Sequence, residues 1–314
     1  MKKAIAPALV LALTILAGSA GSVRTTSEAF VEGAAAALAR PAFPAGVKDR
    51  DYKFEAKEDT RKSFPMADPA LPAELFIDNI FGGINVQAAD VASVEVSVRK
   101  TIKATTQDRI AKAKTEVDLK ITQKGNTVDL FVDGPFRDEE RKRRGARWND
   151  PGYIVVYEFT VKVPRRTRLG LKTVTEGDIA VHGVDGGFDI SHVNGQVTLD
   201  GIAGAGEAET VSGDVKAVFT RNPGAVCAFK TVSGDVDLSL PDGLAADLRL
   251  KSMTGEALSD FAVTSLPAEP IKSEKRDGRT VYSRGGFTGV RIGKGGPEIR
   301  CETFSGDILI RKSK

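Results

Sequence analysis

The sequence predicts an all-β chain whose main body is a parallel β-solenoid (β-helix) with coils of about 18 to 21 residues. Three observations carry that expectation. A template recurs from Leu75 to the C-terminus: alternating apolar residues, a small polar pair, glycine, an acidic or polar residue, then more alternating apolar residues. The glycines at 177, 195, 213, 234 and 255 are spaced 18, 18, 21 and 21 apart, the length of a solenoid coil rather than of a hairpin. Apolar residues follow period two on both sides of each glycine, so each copy is two short strands joined by a sharp corner. A single coil cannot bury its inner face. Coils stacked about 4.8 Å apart pair every strand and build one continuous core.

Composition agrees with a globular body. Of 314 residues 41% are hydrophobic and 28% charged, and two cysteines cannot staple a fold of this size. Stability must come from apolar burial, at roughly 25 cal/mol per Å² removed from water. The formal net charge of +3 falls to +1 if Lys2 and Lys3 leave with a leader, which gives no support to nucleic-acid binding.

At the N-terminus, Lys2 and Lys3 precede an apolar run from Ala4 to Ala17, and Gly18, Ser19 and Ala20 follow. That layout predicts a cleaved signal peptide over residues 1–20. The run is shorter than the roughly 20 residues of a membrane-spanning helix, and no cysteine follows it to carry a lipid. No later segment is apolar enough to cross a bilayer, so the mature chain is expected to be exported, periplasmic or extracellular, with no transmembrane segment. Residues 21–72 lack sustained alternation and read as a poorly structured spacer. Within it Ser27 caps a predicted short helix through Ala39, ended by Pro41 and Pro44. The charge-dense stretch from Asp51 to Lys62 reads as an exposed connector or a lone capping strand.

Residues 73–314 are expected to form a single solenoid domain, with 73–164 as first coils or a cap and 165–314 as regular repeats. Leu75 to Val86 is a first copy about Gly82. Long alternating strands follow at Val94 to Val98, Val117 to Ile121, Val128 to Val132 and Tyr153 to Val163, with a turn at Lys124, Gly125 and Asn126. Leu169 to Val181 carries Glu176 as an insertion before Gly177, which reads as a bulge. Further copies centre on Gly195, Gly213, Gly234, Gly255 and Gly306, and Gly82, Gly177 and these five are the predicted structural corner glycines. Val215 and Val236 should stack inward from equivalent corners, with Lys216 and Asp237 outward.

The element Thr-Val-Ser-Gly-Asp stands at Thr210 to Asp214 and Thr231 to Asp235, and at Thr303 to Asp307 with Phe304 replacing Val. This recurring element resembles the bacterial DUF4097 group of β-strand repeat proteins, which carry the label "putative adhesin". The resemblance covers about Leu75 to Lys314. It implies a right-handed parallel β-helix exported to the cell envelope, and it carries over no catalytic residues.

Candidate chemistry is sparse. Asp178, Asp214, Asp235 and Asp307 recur after the corner glycine, with Gln196 and Glu256 in other coils. A calcium ladder is one reading of that column, and a turn in which Asp bonds nearby backbone is the favoured one. No metal ligand and no cofactor is therefore predicted. His192 occupies the column filled elsewhere by Thr173, Thr210 and Thr231, and reads as a ladder residue. His182 has no evident triad or zinc partner. Gly289, Gly293, Gly295 and Gly296 match neither a Walker loop nor a dinucleotide fingerprint and read as a loop. Cys227 and Cys301 face inward in different columns with the Gly255 coil between them, about 10 Å apart. That separation favours buried free thiols over a bridge. The outward parity carries Lys172, Asp189, Glu209, Lys230, Lys251 and Glu302, a mixed-charge face suited to solubility.

One loop stands out. Arg137, Arg141, Lys142, Arg143, Arg144 and Arg147 crowd together ahead of Trp148, interrupted by three acids. It is a solvated loop or an anionic-ligand loop, the latter carried by Arg141, Lys142, Arg143, Arg144, Arg147 and Trp148. The expected function is a non-catalytic, adhesin-like scaffold or binding module for an envelope component, whether anionic polymer, lipid or protein. The alternatives are a carbohydrate-active β-helix enzyme, a polysaccharide lyase or hydrolase, and a periplasmic regulatory partner in envelope stress.

Overall fold

The computed structural model describes residues 52–137, 151–267, 272–276, 279–283 and 286–313. The predicted leader, the predicted helix from Ser27 and the run from Arg141 to Trp148 lie outside the described residues. The period-two pattern on either side of each corner produces two sheets around one core. The first runs, edge to edge, through Phe54–Pro65, Ser93–Ala104, Tyr153–Pro164, Ile84–Ala89, Ile179–His182, Val197–Ile202, Val215–Phe219, Val236–Leu240, Ile308–Lys312 and Ala257–Ser259. The second runs through Val263–Ser265, Thr288–Ile292, Ala246–Ser252, Glu298–Ser305, Cys227–Ser233, Gly206–Glu209, Phe188–His192, Arg168–Thr173, Glu74–Asp78, Thr127–Asp133 and Asp118–Lys124. Lys272–Arg276 and Arg279–Ser283 pair as a separate hairpin.

Register follows the repeat. Val197 pairs in parallel with Ile179 on one side and Val215 on the other, and Val215 pairs with Val236. All four are fully buried, whereas Lys216 and Asp237 sit half-buried on the opposite parity. Each such aliphatic side chain contributes about 1.5–3 kcal/mol by leaving water. Phe219 of the first sheet meets Phe229 of the second edge to face, with ring centroids 6.1 Å apart, which closes the core between them.

The coils do not stack in chain order. Glu298–Ser305 and Ile308–Lys312 lie between the coil of Cys227–Leu240 and that of Ala246–Ser259, pairing in parallel with both. At the other end the coil of Glu74–Ala89 lies between Thr127–Pro164 and Arg168–His182. This corrects the expected separation of the cysteines, because the Gly255 coil is outermost and does not lie between them. Cys227 aligns with Ile299 and Cys301 with Phe229 on adjacent strands. The diagonal offset of two residues, about 7–8 Å, still exceeds bridging distance. Both thiols are buried and free, and burial raises each above the usual thiol range, Cys301 furthest.

The cap end is built from three long antiparallel strands. Phe54–Pro65 pairs with Ser93–Ala104, which pairs with Tyr153–Pro164. Of the two readings of the charge-dense stretch, the capping strand is the one formed, so a strand falls inside the segment expected as spacer. Its exposed Lys57, Glu58, Asp59, Arg61 and Lys62 guard the sheet edge against further pairing. The strand-only expectation for 73–164 also misses a helix, Gln107–Glu116. Thr106 caps it by accepting from the Arg109 amide, and Ile110 and Ala113 bury its inner face. Glu176 has φ 59°, the left-handed backbone of the expected bulge, in the turn just before Gly177.

Candidate functional site

The recurring Thr-x-x-Gly-Asp residues form two hydrogen-bond ladders at one corner of the solenoid. In the first, the hydroxyl of each coil donates to the corner-glycine carbonyl of its neighbour. Thr173 reaches Gly82, Thr210 reaches Gly195, Thr231 reaches Gly213 and Thr303 reaches Gly234, all at 2.8–2.9 Å, and Ser252 does the same to Gly306. In the second, each acid accepts the backbone N–H that follows the corner of the next coil. Asp178 accepts from Gln196, Asp214 from Asp235, Asp235 from Asp307 and Asp307 from Glu256, at 2.8–3.0 Å. That bond to the Asp235 amide is the main reason the Asp214 carboxyl lies below the usual carboxylate range. The acid column therefore spends an oxygen per coil on backbone.

Close approach explains the glycine. At Gly234, φ is +148° and an added Cβ would lie 2.5 Å from the Gly213 carbonyl carbon and closer to its oxygen. Gly255 departs from the expected positive φ but meets the Gly306 carbonyl in the same way, so its requirement is steric alone.

His192 takes the threonine position. Its Nε2 lies 2.8 Å from the Gly177 carbonyl, and its Nδ1 lies 3.2 Å from the Thr173 carbonyl and 2.9 Å from the Val193 amide. Burial holds it below the usual imidazole range. His182, half-exposed, lies 3.5 Å from Asp200 on an outward face.

The expected solvated outer face of the second sheet is partly covered. Lys230 and Glu302 are 2% and 6% exposed. Lys230 pairs with Glu207, and Glu302 with Lys251 at 2.6 Å. The Phe287 ring lies over Lys251 and Arg300. Phe287 thus covers part of a face that a bare repeat would leave in water. Arg137, at the base of the basic loop, is also committed: its guanidinium bridges both Asp78 oxygens and stacks on Phe131 at 4.2 Å.

A second feature lies at the opposite corner, where the strands of the second sheet begin. A groove of about 900 Å³ runs there beside the 66–72 loop and the turn at Gly125, with Arg166, Arg168, Asp185 and Arg221 along it. Asn126 builds its end wall, donating to the Asp68 and Leu71 carbonyls and accepting from the Asp68 amide. Arg168 leans on Glu74 at 4.0 Å. Arg166, Arg221 and the Asp185 carboxylate have no ion-pair or side-chain hydrogen-bond partner among the described residues.

The floor is bare for a structural reason. A Cβ on Gly186 would lie 2.5 Å from the Thr167 carbonyl carbon, and one on Gly204 the same distance from that of Gly186. This second glycine column, and the arginines flanking it, escaped the sequence reading because they lie outside the Ser-Gly-Asp template. The Gly-Gly of 186–187 and Gly-Ala-Gly of 204–206 at matching coil positions were the available signal.

Residues 168–311 match the family model described as Toastrack DUF4097. That stretch is a little under half of the chain. It includes the coils from Arg168 onward and leaves the antiparallel cap outside. Among solved structures, the chain is similar to one named "putative cell adhesion protein" from Clostridium sporogenes, with 11% identity over 82% of this chain and all of that one, at a TM-score of 0.40. It also matches one named "putative lipid binding protein" from Parabacteroides distasonis, with 11% identity, 82% and 97% coverage and a TM-score of 0.23. No curated protein matches the chain. Among the described residues no helix is long and apolar enough to cross a membrane.

Proposed function

We propose that this protein is a non-catalytic binding module of the cell envelope, a right-handed β-solenoid with coils of 18 to 21 residues. In this reading residues 1–20 direct export to the periplasm or the exterior and are removed. One observation carries the proposal. The polar residues that recur along the solenoid bond to the backbone of the neighbouring coil, as Asp214 and Thr231 do. Repeated chemistry is thereby consumed in holding the stack, while Arg166, Asp185 and Arg221 stay without side-chain partners among the described residues along a groove beside it. A scaffold of that kind presents a surface to a partner and leaves no acid or base poised over a substrate.

Cell fractionation combined with N-terminal sequencing of the recovered protein tests export. Incubation of the purified protein with acidic polysaccharides, followed by measurement of released reducing ends, tests the absence of catalysis. Recovery from the envelope fraction starting near residue 21, with binding to isolated envelope material and no turnover, is the expected outcome. Cytoplasmic recovery, turnover, or no retention on any envelope fraction overturns the reading.

A further inference from the structure

The geometry points to the Arg166–Arg221 groove as the binding site for a linear acidic glycan lying along the solenoid axis. The inference rests on the binding-module reading and names its ligand. Successive turns enter the coils at 164–167, 183–187, 203–205 and 220–226, and they are stacked in that order. Asp185 donates its amide to the Arg165 carbonyl, Ala203 to Val184 and Thr220 to Ile202. Arg166 and Arg221 therefore stand three coils apart, about 14 Å at roughly 4.8 Å per strand.

Between them the turns offer Gly186, Gly187, Ala203, Gly204 and Ala205, so apart from Asp185 nothing larger than a methyl rises there. The result is a trough with a cation at either end, longer than one sugar ring and open along its length. A single phosphate or a lone monosaccharide would meet one arginine and leave the other idle. A chain of sugars bearing acidic groups can engage both, since a guanidinium presents a planar fork that fits carboxylate or phosphate in two-point fashion.

Asp185 identifies the chain as a glycan. It sits one coil from Arg166, inside the same trough, with its carboxylate unspent. It would repel a simple polyanion, but it can accept hydrogen bonds from ring hydroxyls beside an acidic substituent. Leu71, 60% exposed on the groove wall with Pro72 beside it, offers an apolar contact to the C–H face of a sugar. A flat anionic bilayer could not follow a trough whose floor lies below its arginines, so the observations favour a strand over a membrane.

The test is a titration of the full-length protein with polygalacturonate, monitored by calorimetry, against neutral dextran, inorganic polyphosphate and phosphatidylglycerol vesicles. Polygalacturonate should bind, weakening with salt, while dextran, polyphosphate and vesicles should not displace it. Arg166→Ser and Arg221→Ser should each weaken binding about tenfold, the loss of one charge-assisted hydrogen-bonded contact, and together about a hundredfold. Asp185→Ala should also weaken it. All three side chains lack protein partners among the described residues, so thermal melts of the variants should match wild type and confirm folding.

Full binding by the double arginine variant would overturn the groove as the site and leave the binding-module reading standing. Tighter binding by Asp185→Ala, or a preference for polyphosphate, would overturn the glycan assignment. If polygalacturonate does not bind although envelope material does, the inference fails and the broader reading survives. Retention on no envelope fraction would remove both.

Discussion

Replacing Gly234 with alanine measures how tightly the corner is packed. Ordinary carbon contact begins near 3.4 Å, and the added Cβ would stand 2.5 Å from the Gly213 carbonyl carbon, so the two corners must part by about 1 Å. Such a displacement stretches the 2.9 Å bond from the Gly213 amide to Ser233 and the 2.8 Å bond from the Thr231 hydroxyl to Gly213 beyond useful length. Two bonds at about 1 kcal/mol each, with backbone strain of roughly 1–3 kcal/mol at a φ of +148°, give a loss of about 3–5 kcal/mol. Gly125 is the control, because its φ is +61° and no atom lies within 4 Å of an added Cβ. Gly125→Ala should therefore cost only the left-handed backbone penalty, about 1–2 kcal/mol. Urea unfolding of both variants gives the comparison, read from midpoints at unchanged m-value. Equal losses would mean that φ alone accounts for the corner glycine and that the close stacking argument is wrong.

His192→Thr should fold normally and flatten the acid limb of the stability curve. The wild-type imidazole is held neutral, below its ordinary range near 6.5, so the unfolded chain binds the extra proton and stability falls as pH drops below about 6.5. Melting temperatures between pH 7.5 and 5 would show this, and an identical slope in the variant would refute it. Cys227 and Cys301 should resist thiol reagents until unfolding, as expected of fully buried thiols; rapid labelling of native protein would contradict their place in the core. Removing residues 297–314 should abolish hydrogen-exchange protection across Ala257–Ser259, whose strand partner is lost. Retained protection there would mean that the 246–259 coil can dock directly on the 227–240 coil.

Local features were legible because the repeat specifies them residue by residue. The spacing of the glycines aligns Thr173, His192, Thr210 and Thr231 in one column, and the observed hydrogen bonds to corner carbonyls follow that column, histidine included. Period two likewise places Val215 and Val236 inside. Stacking order was not legible, because Glu298–Ser305 presents the same alternating face and corner as its neighbours and fits any coil. What decides its position is the long excursion between residues 259 and 298, which lets the chain return one place early. The helix at Gln107–Glu116 carried a cap and an Ile110–Ala113 pair in the sequence, but its apolar face is two residues wide and was outweighed by the strands around it. The groove was invisible for another reason. Arg166 and Arg221 are 55 positions apart, and only the stacking of turns brings them to one trough.

The interleaved C-terminal coil has a consequence for how the molecule comes into being. A solenoid laid down in chain order can grow like a stack of plates, each new turn settling on the last as it leaves the ribosome or a translocation pore. Here the place between the Cys227–Leu240 and Ala246–Ser259 coils must wait for residues 298–312, which follow both in the chain. Until then the Ala246–Ser259 coil has no lasting parallel seat. Completion of that end therefore waits on residues 298–312 and is slowed by the closure of a large loop. A chain built this way leaves one coil waiting for parallel partners made 51 residues later.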